Sequence, residues 1–120
     1  MSKKKVVYIL GPIDRPEDAD TYHAVDDMLT AMGYSTLGLA LIPEGLERAA
    51  ETRIADAMIA SADAVVVLPK WDAHHDLVWL RHLAYCFDKP LVELRRGNPS
   101  EVMLAWLKHD LTQVPGEVSA

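Results

Sequence analysis

Cysteine is nearly absent from this chain. Cys86 stands alone, so no intrachain disulfide can form, and a reducing compartment such as the cytoplasm is expected. Positive charge is also short: twelve Lys and Arg face eighteen Asp and Glu, a net charge of -6. That balance argues against generic binding to duplex nucleic acid or to an anionic membrane. It leaves room for a small ligand held by backbone N–H groups. No apolar run is long enough to span a bilayer, and no small-residue cleavage site follows Lys3-Lys4-Lys5. Three motifs are missing as well. The turn after the first apolar segment has a single glycine, which is not a dinucleotide fingerprint. There is no Walker-type phosphate loop and no nucleophilic-serine elbow.

What is present is alternation. The 120 residues suit one domain with one core, and half of them are apolar. A strand is predicted over 5–10, closed by Gly11-Pro12. Asp14 and Glu17 have capping-box spacing around Pro16, so a helix is expected to start there. It should bury Tyr22, Val25, Met28, Leu29 and Met32 and end at Gly33. A second strand is predicted over 34–40, with Gly38 weakening it. Helix two should turn Leu46, Ala50, Ile54, Ala57 and Met58 inward. The run Ala64 to Leu68 is continuously apolar, as a central parallel strand should be. Helix three is expected over 75–87 and strand four over 90–94. Asn98-Pro99-Ser100-Glu101 is a second capping box, opening a helix with Met103, Trp106, Leu107 and Leu111.

This βαβαβαβα order, joined by right-handed crossovers, predicts a three-layer doubly wound parallel sheet of flavodoxin-like or Rossmann-like type. The expected strand order is 2-1-3-4. The domain should span residues 1–112, with a flexible tail over 113–120.

In such sheets, ligands bind past the carboxyl ends of the strands where the order reverses. That places the turn Gly11, Pro12, Ile13 and Asp14 beside Pro69, Trp71 and Asp72. These seven are the candidate ligand-binding residues. Gly11 permits close backbone approach, yet it also suits a plain strand-ending turn. Tyr8 lies inside strand one, where most tyrosines only pack. Asp72, His74, His75 and Asp76 form the densest polar cluster, and such groups can move protons. His74 and Asp76 join Tyr8 as candidate catalytic residues. Their spacing fits no standard zinc motif, so no metal and no cofactor are expected. Asp76 could equally serve the positive end of helix three. Cys86 is expected to be a buried, inert thiol.

Helix three carries two apolar stripes. Leu77, Leu80, Ala84 and Phe87 make one; Val78, Trp79, His82 and Cys86 make much of the other. A helix apolar nearly all round is buried on both sides. Its Val78, Trp79 and His82 face is therefore expected to pair with another copy, as a homo-oligomer.

Three segments together resemble the nucleoside 2-deoxyribosyltransferase-like superfamily, most closely its small bacterial and phage members. They are Val7-Tyr8-Ile9-Leu10-Gly11-Pro12-Ile13, Ala31-Met32-Gly33-Tyr34, and the run from Ala62 to Trp71. The resemblance covers roughly residues 6–92. It implies cleavage or exchange of the N-glycosidic bond of deoxynucleosides or their monophosphates. In that chemistry a glutamate attacks the sugar, an aspartate handles the base proton, and a first-strand tyrosine orients the nucleophile. Tyr8 matches the tyrosine. The glutamate position holds Leu80, the glycine position Asp76 and the serine position His74. The helix-two aspartate falls at Ala55, with Asp56 one residue away, a rotation of about 100°.

A leucine cannot form a glycosyl ester. The expectation is therefore a protein that binds a nucleoside or nucleotide after strands one and three without classical transferase activity. Two alternatives stand beside it. One is an N-glycoside hydrolase acting on nucleotides or deoxynucleotides, with Asp76, Asp72 or a histidine such as His74 activating water. The other is a structural oligomer with a vestigial cleft.

Overall fold

In the computed structural model, which describes residues 5–94, four strands form one sheet in the order β2-β1-β3-β4, all parallel. The strands are β1 (Val6–Leu10), β2 (Ser35–Gly38), β3 (Ala64–Val67) and β4 (Leu91–Glu93). Between them run α1 (Pro16–Ala31), α2 (Arg48–Ser61) and α3 (His75–Cys86). The expected three-layer doubly wound fold is what the chain adopts. Residues 65–67 sit between two partner strands, and Val66 pairs with both Ile9 and Val92. Their uninterrupted apolar character follows, because both faces of a central parallel strand are covered.

Side-chain alternation along β1 sorts the core into two layers. Val7 and Ile9 pack with Tyr22, Val25 and Leu29 of α1 on one face. Tyr8 and Leu10 pack with Ala55 and Ile59 of α2 and with Leu77, Leu80 and Ala84 of α3 on the other. Met28 and Met32 lean on the first layer half-buried.

Several local expectations change. Asp14 does not cap α1. Arg15 takes the N-cap position in extended conformation, with no side-chain cap. A residue before proline is held out of the helical region, so Pro16 moves the boundary past Asp14. The helix ends as expected. Gly33, at φ +95°, donates to Thr30 O, and Tyr34 N–H reaches Leu29 O at 3.0 Å, closing a Schellman motif. Strand β2 stops at Gly38 and gives way to a short 3₁₀ turn, Leu39–Leu41.

The inward face of α2 is also shifted. Ala55 and Ile59 are buried there, whereas Ile54 and Ala57 are exposed and Ala50 and Met58 are half-buried. On α3, Leu77, Leu80 and Ala84 are buried as expected, but Phe87 caps the helix and is exposed. Cys86 is exposed, not buried. The helix predicted after Asn98 and the proposed tail lie outside the described residues. Among those described, no helix is long and apolar enough to cross a membrane.

Candidate functional site

Past the carboxyl ends of β1 and β2, the chain leaves a cavity of about 570 Å³. Pro12, Ile13 and Asp14 form one wall, directly after β1. Leu39, Ile42, Pro43 and Glu44 form a second, after β2. The first turns of α2 and α3 complete it, with Arg48, Glu51, Thr52 and Ala55 facing His74, Asp76, Leu77, Trp79 and Leu80. This volume lies within the usual range of small-molecule pockets.

The candidate residues divide. Pro12, Ile13, Asp14, His74 and Asp76 share this cavity. Tyr8 and Trp71 lie on the same face of the sheet, in or against the same apolar cluster, but neither lines the cavity. Trp71 is half-buried beneath the Arg81 guanidinium, 4.7 Å from the ring centre. Pro69 lines a smaller cavity of about 240 Å³ with Pro12 and Lys70. Asp72 is exposed in the 3₁₀ turn Trp71–Ala73, and it lines neither cavity.

Gly11 is buried for a packing reason. A Cβ there would fall 2.6 Å from the Cβ of Leu68, so the ends of β1 and β3 can approach only with glycine at this position. The start of α1 is a poor anion site. Pro16 contributes no N–H, Glu17 and Asp18 occupy the first turn, and Asp18 is paired with Lys70 at 3.2 Å.

The cavity itself is acidic. Asp14, Glu44, Glu51 and Asp76 line it, and among the described residues Arg48 is the only guanidinium or ammonium in its walls. Arg48 is already engaged, with Nη2 2.6 Å from Asp76 Oδ1. His74 takes the N-cap position of α3 without a side-chain cap, and Asp76 sits in the first turn rather than capping it.

Behind the cavity lies a single anomaly. The Tyr8 hydroxyl is fully buried and, among the described residues, has no hydrogen-bond partner. Desolvation pushes its pKa well up, and the charges of Tyr22 and Asp56 push the same way. Asp56 is thus near enough to act on Tyr8, although it stands one residue from the expected position. It accepts a hydrogen bond from the Trp79 indole at 3.3 Å. Leu80, where the resemblance would set the nucleophile, is only 3% exposed. It forms part of the cavity wall and the edge of the core.

Sequence reasoning missed the wall after β2, including Glu44, Arg48 and Glu51. Only the ends of β1 and β3 entered that reasoning. In a 2-1-3-4 sheet the loop after β2 opens on the same side, and its Pro43 and Gly45 marked it.

A comparison with curated proteins finds no match by sequence. Solved structures do match. The 2-deoxyribosyltransferase of the psychrotolerant Bacillus psychrosaccharolyticus superposes with a TM-score of 0.65 at 14% identity. The match covers 73% of this chain and 70% of that one. The 2-desoxiribosyltransferase of Leishmania mexicana gives 0.63 at 16% identity, covering 76% and 64% respectively. At these identities the likeness is one of fold. The profile described as "Domain of unknown function (DUF4406)" matches residues 5–76, from the start of β1 to the cavity wall at Asp76. The chain belongs to the DUF4406 family and has the nucleoside 2-deoxyribosyltransferase-like fold.

Proposed function

We propose that the cavity binds a nucleoside and that the chain does not carry out base exchange through a glycosyl-enzyme intermediate. One observation carries the reading. The residue that the resemblance sets at the nucleophile's place is a buried leucine, and the Tyr8 hydroxyl that would orient a glutamate there has no partner among the described residues. A covalent displacement needs a carboxylate at that point. The cavity keeps the volume and position of a ligand site while lacking this group.

The charge of the walls favours an uncharged nucleoside over its phosphate. A phosphate would meet four carboxylates and one guanidinium already paired with Asp76. The acidic first turn of α1 offers it no alternative. Water activation by His74 or Asp76 is the weaker reading. Asp76 lies at the exposed mouth with its carboxylate already engaged by Arg48.

A thermal-shift series with nucleosides and the matching 5′-monophosphates tests the binding. A nucleoside at a hundred times its Kd adds about 2.7 kcal/mol of stability. No shift with any nucleoside would refute binding. Incubation with a deoxynucleoside and a second free base should give no exchanged product and no covalent adduct. Hydrolysis lost in His74→Ala would favour the alternative.

A further inference from the structure

The acidity of the cavity does not come from one solvated helix face. Asp14 follows β1, Glu44 follows β2 and Glu51 stands in the first turn of α2. Three separate elements thus bring carboxylates to one concavity. Asp76 is held by Arg48, whereas the other three form no ion pair among the described residues. A cleft lined by one sign of charge, with low-dielectric walls, focuses the field and concentrates counter-charge within it.

A metal ion is a poor occupant. Among the described residues, no group of three or more His, Cys, Asp or Glu could hold one. The inner wall is apolar, with Leu77 and Leu80 buried at the edge of the core. A small, strongly hydrated cation would lose water against that wall with nothing to replace it. A positive charge spread over a flat, largely apolar ring meets both the wall and the rim.

The cavity also holds a matching aromatic surface. Trp79 lines it and is exposed. Its indole N–H donates to Asp56 Oδ1 at 3.3 Å, which holds the ring, and the carboxylate acceptor makes that ring more electron-rich. Indole is the best of the aromatic side chains at attracting a cation placed over its face. We propose that the base of the bound nucleoside is cationic: a heteroaromatic ring charged through N-glycosylation or N-methylation, seated on Trp79 with the unpaired carboxylates around it. This rests on the nucleoside reading above and adds the charge of the base to it.

The test is calorimetric titration of the full chain with two matched pairs. One is the N-riboside of nicotinamide, a pyridinium, against its neutral dihydro form. The other is 1-methyladenosine, whose base is cationic at neutral pH, against adenosine. In the pair that fits the cavity, the cationic member should bind about tenfold more tightly at low salt. That ratio should fall about threefold in about 0.5 M sodium chloride. The pair that shows the preference tells a pyridinium from a methylated purine. Trp79→Leu and Glu44→Gln should each lower the ratio about threefold. Far-UV circular dichroism should stay unchanged, since both side chains are exposed. Equal affinities within both pairs, or no binding of either cationic compound while neutral nucleosides raise Tm, would overturn the cationic base and leave the nucleoside reading standing. A preference indifferent to salt, or kept in full by both variants, would also overturn it. No shift with any nucleoside, charged or neutral, would overturn the nucleoside reading itself.

Discussion

Arg48 and Asp76 join the first turn of α2 to the first turn of α3, guanidinium to carboxylate at 2.6 Å, across the mouth of the cavity. Both side chains are largely exposed, so water screens the pair and its share of stability is small, about 0–1 kcal/mol. Its importance lies in occupying the cation that could otherwise meet an anionic ligand. Asp76→Asn should leave Tm almost unchanged. It should also strengthen binding of a nucleoside 5′-monophosphate about fivefold relative to the nucleoside, roughly 1 kcal/mol. Calorimetric titration of wild type and variant with both ligands checks this; an unchanged ratio would show that Arg48 does not face the phosphate position.

Leu80 is wall and core at once. Leu80→Ala should cost about 2–4 kcal/mol, because the buried side chain leaves a void against Leu77 and Ala84. Urea denaturation reads the loss. A change below about 1 kcal/mol would mean that the leucine packs less tightly than its burial indicates.

Tyr8→Phe removes an unpartnered buried hydroxyl. Stability should hold or rise by about 1 kcal/mol, since no hydrogen bond is lost and a desolvation cost is relieved. A drop of 2 kcal/mol or more, about the cost of stranding a buried partner, would reveal a hidden hydrogen bond to the hydroxyl.

Alkaline pH provides a separate reading of the same tyrosine. Burial raises the pKa of Tyr8 and pushes that of Tyr22 up to about 12, partly offset by a hydrogen bond from the Ala40 backbone. In the unfolded chain both titrate near pH 10. Above that pH the folded state retains protons that the unfolded state has lost. Stability is therefore complete below pH ~10 and falls as pH rises through 10 towards 12, by about 1.4 kcal/mol per pH unit for each tyrosine. Denaturation midpoints between pH 9 and about 11.5 should show this decline, and Tyr8→Phe should flatten it. An equal slope in the variant would assign the decline to other groups.

Gly38 and Tyr22 meet across the α1 side of the sheet. A Cβ at Gly38 would lie 2.0 Å from the Tyr22 hydroxyl, which is buried and tied to Ala40. Gly38→Ala should cost about 1–3 kcal/mol through overpacking, and Tyr22→Phe in the same chain should return part of it. Additive losses in the double mutant would show that the two residues are not in conflict.

Much of the architecture was legible without coordinates. The run from Ala64 to Leu68 has no polar interruption, so it had to be covered on both faces. Turns such as Gly11-Pro12 and the Met32-Gly33 stop divide the chain into alternating units. Handedness and alternation then leave few topologies, and the parallel 2-1-3-4 sheet is one of them. These features are local or combinatorial, and the chain carries them residue by residue.

Tertiary structure decided the rest. In α2, alanines occur on several sides, so periodicity names no single face. What docks is the face that fits the sheet, and Ala55 and Ile59 do so while Ile54 stays outside. That rotation also brings Asp56 towards Tyr8 and Trp79. Cys86 is exposed because the sheet takes the Leu77, Leu80 and Ala84 side of α3, leaving the opposite side to solvent. The charge of the cavity depends on Glu44, Arg48 and Glu51 meeting Asp14 and Asp76 across tens of residues of sequence. Such encounters are set by packing distances between elements, which a local pattern does not encode.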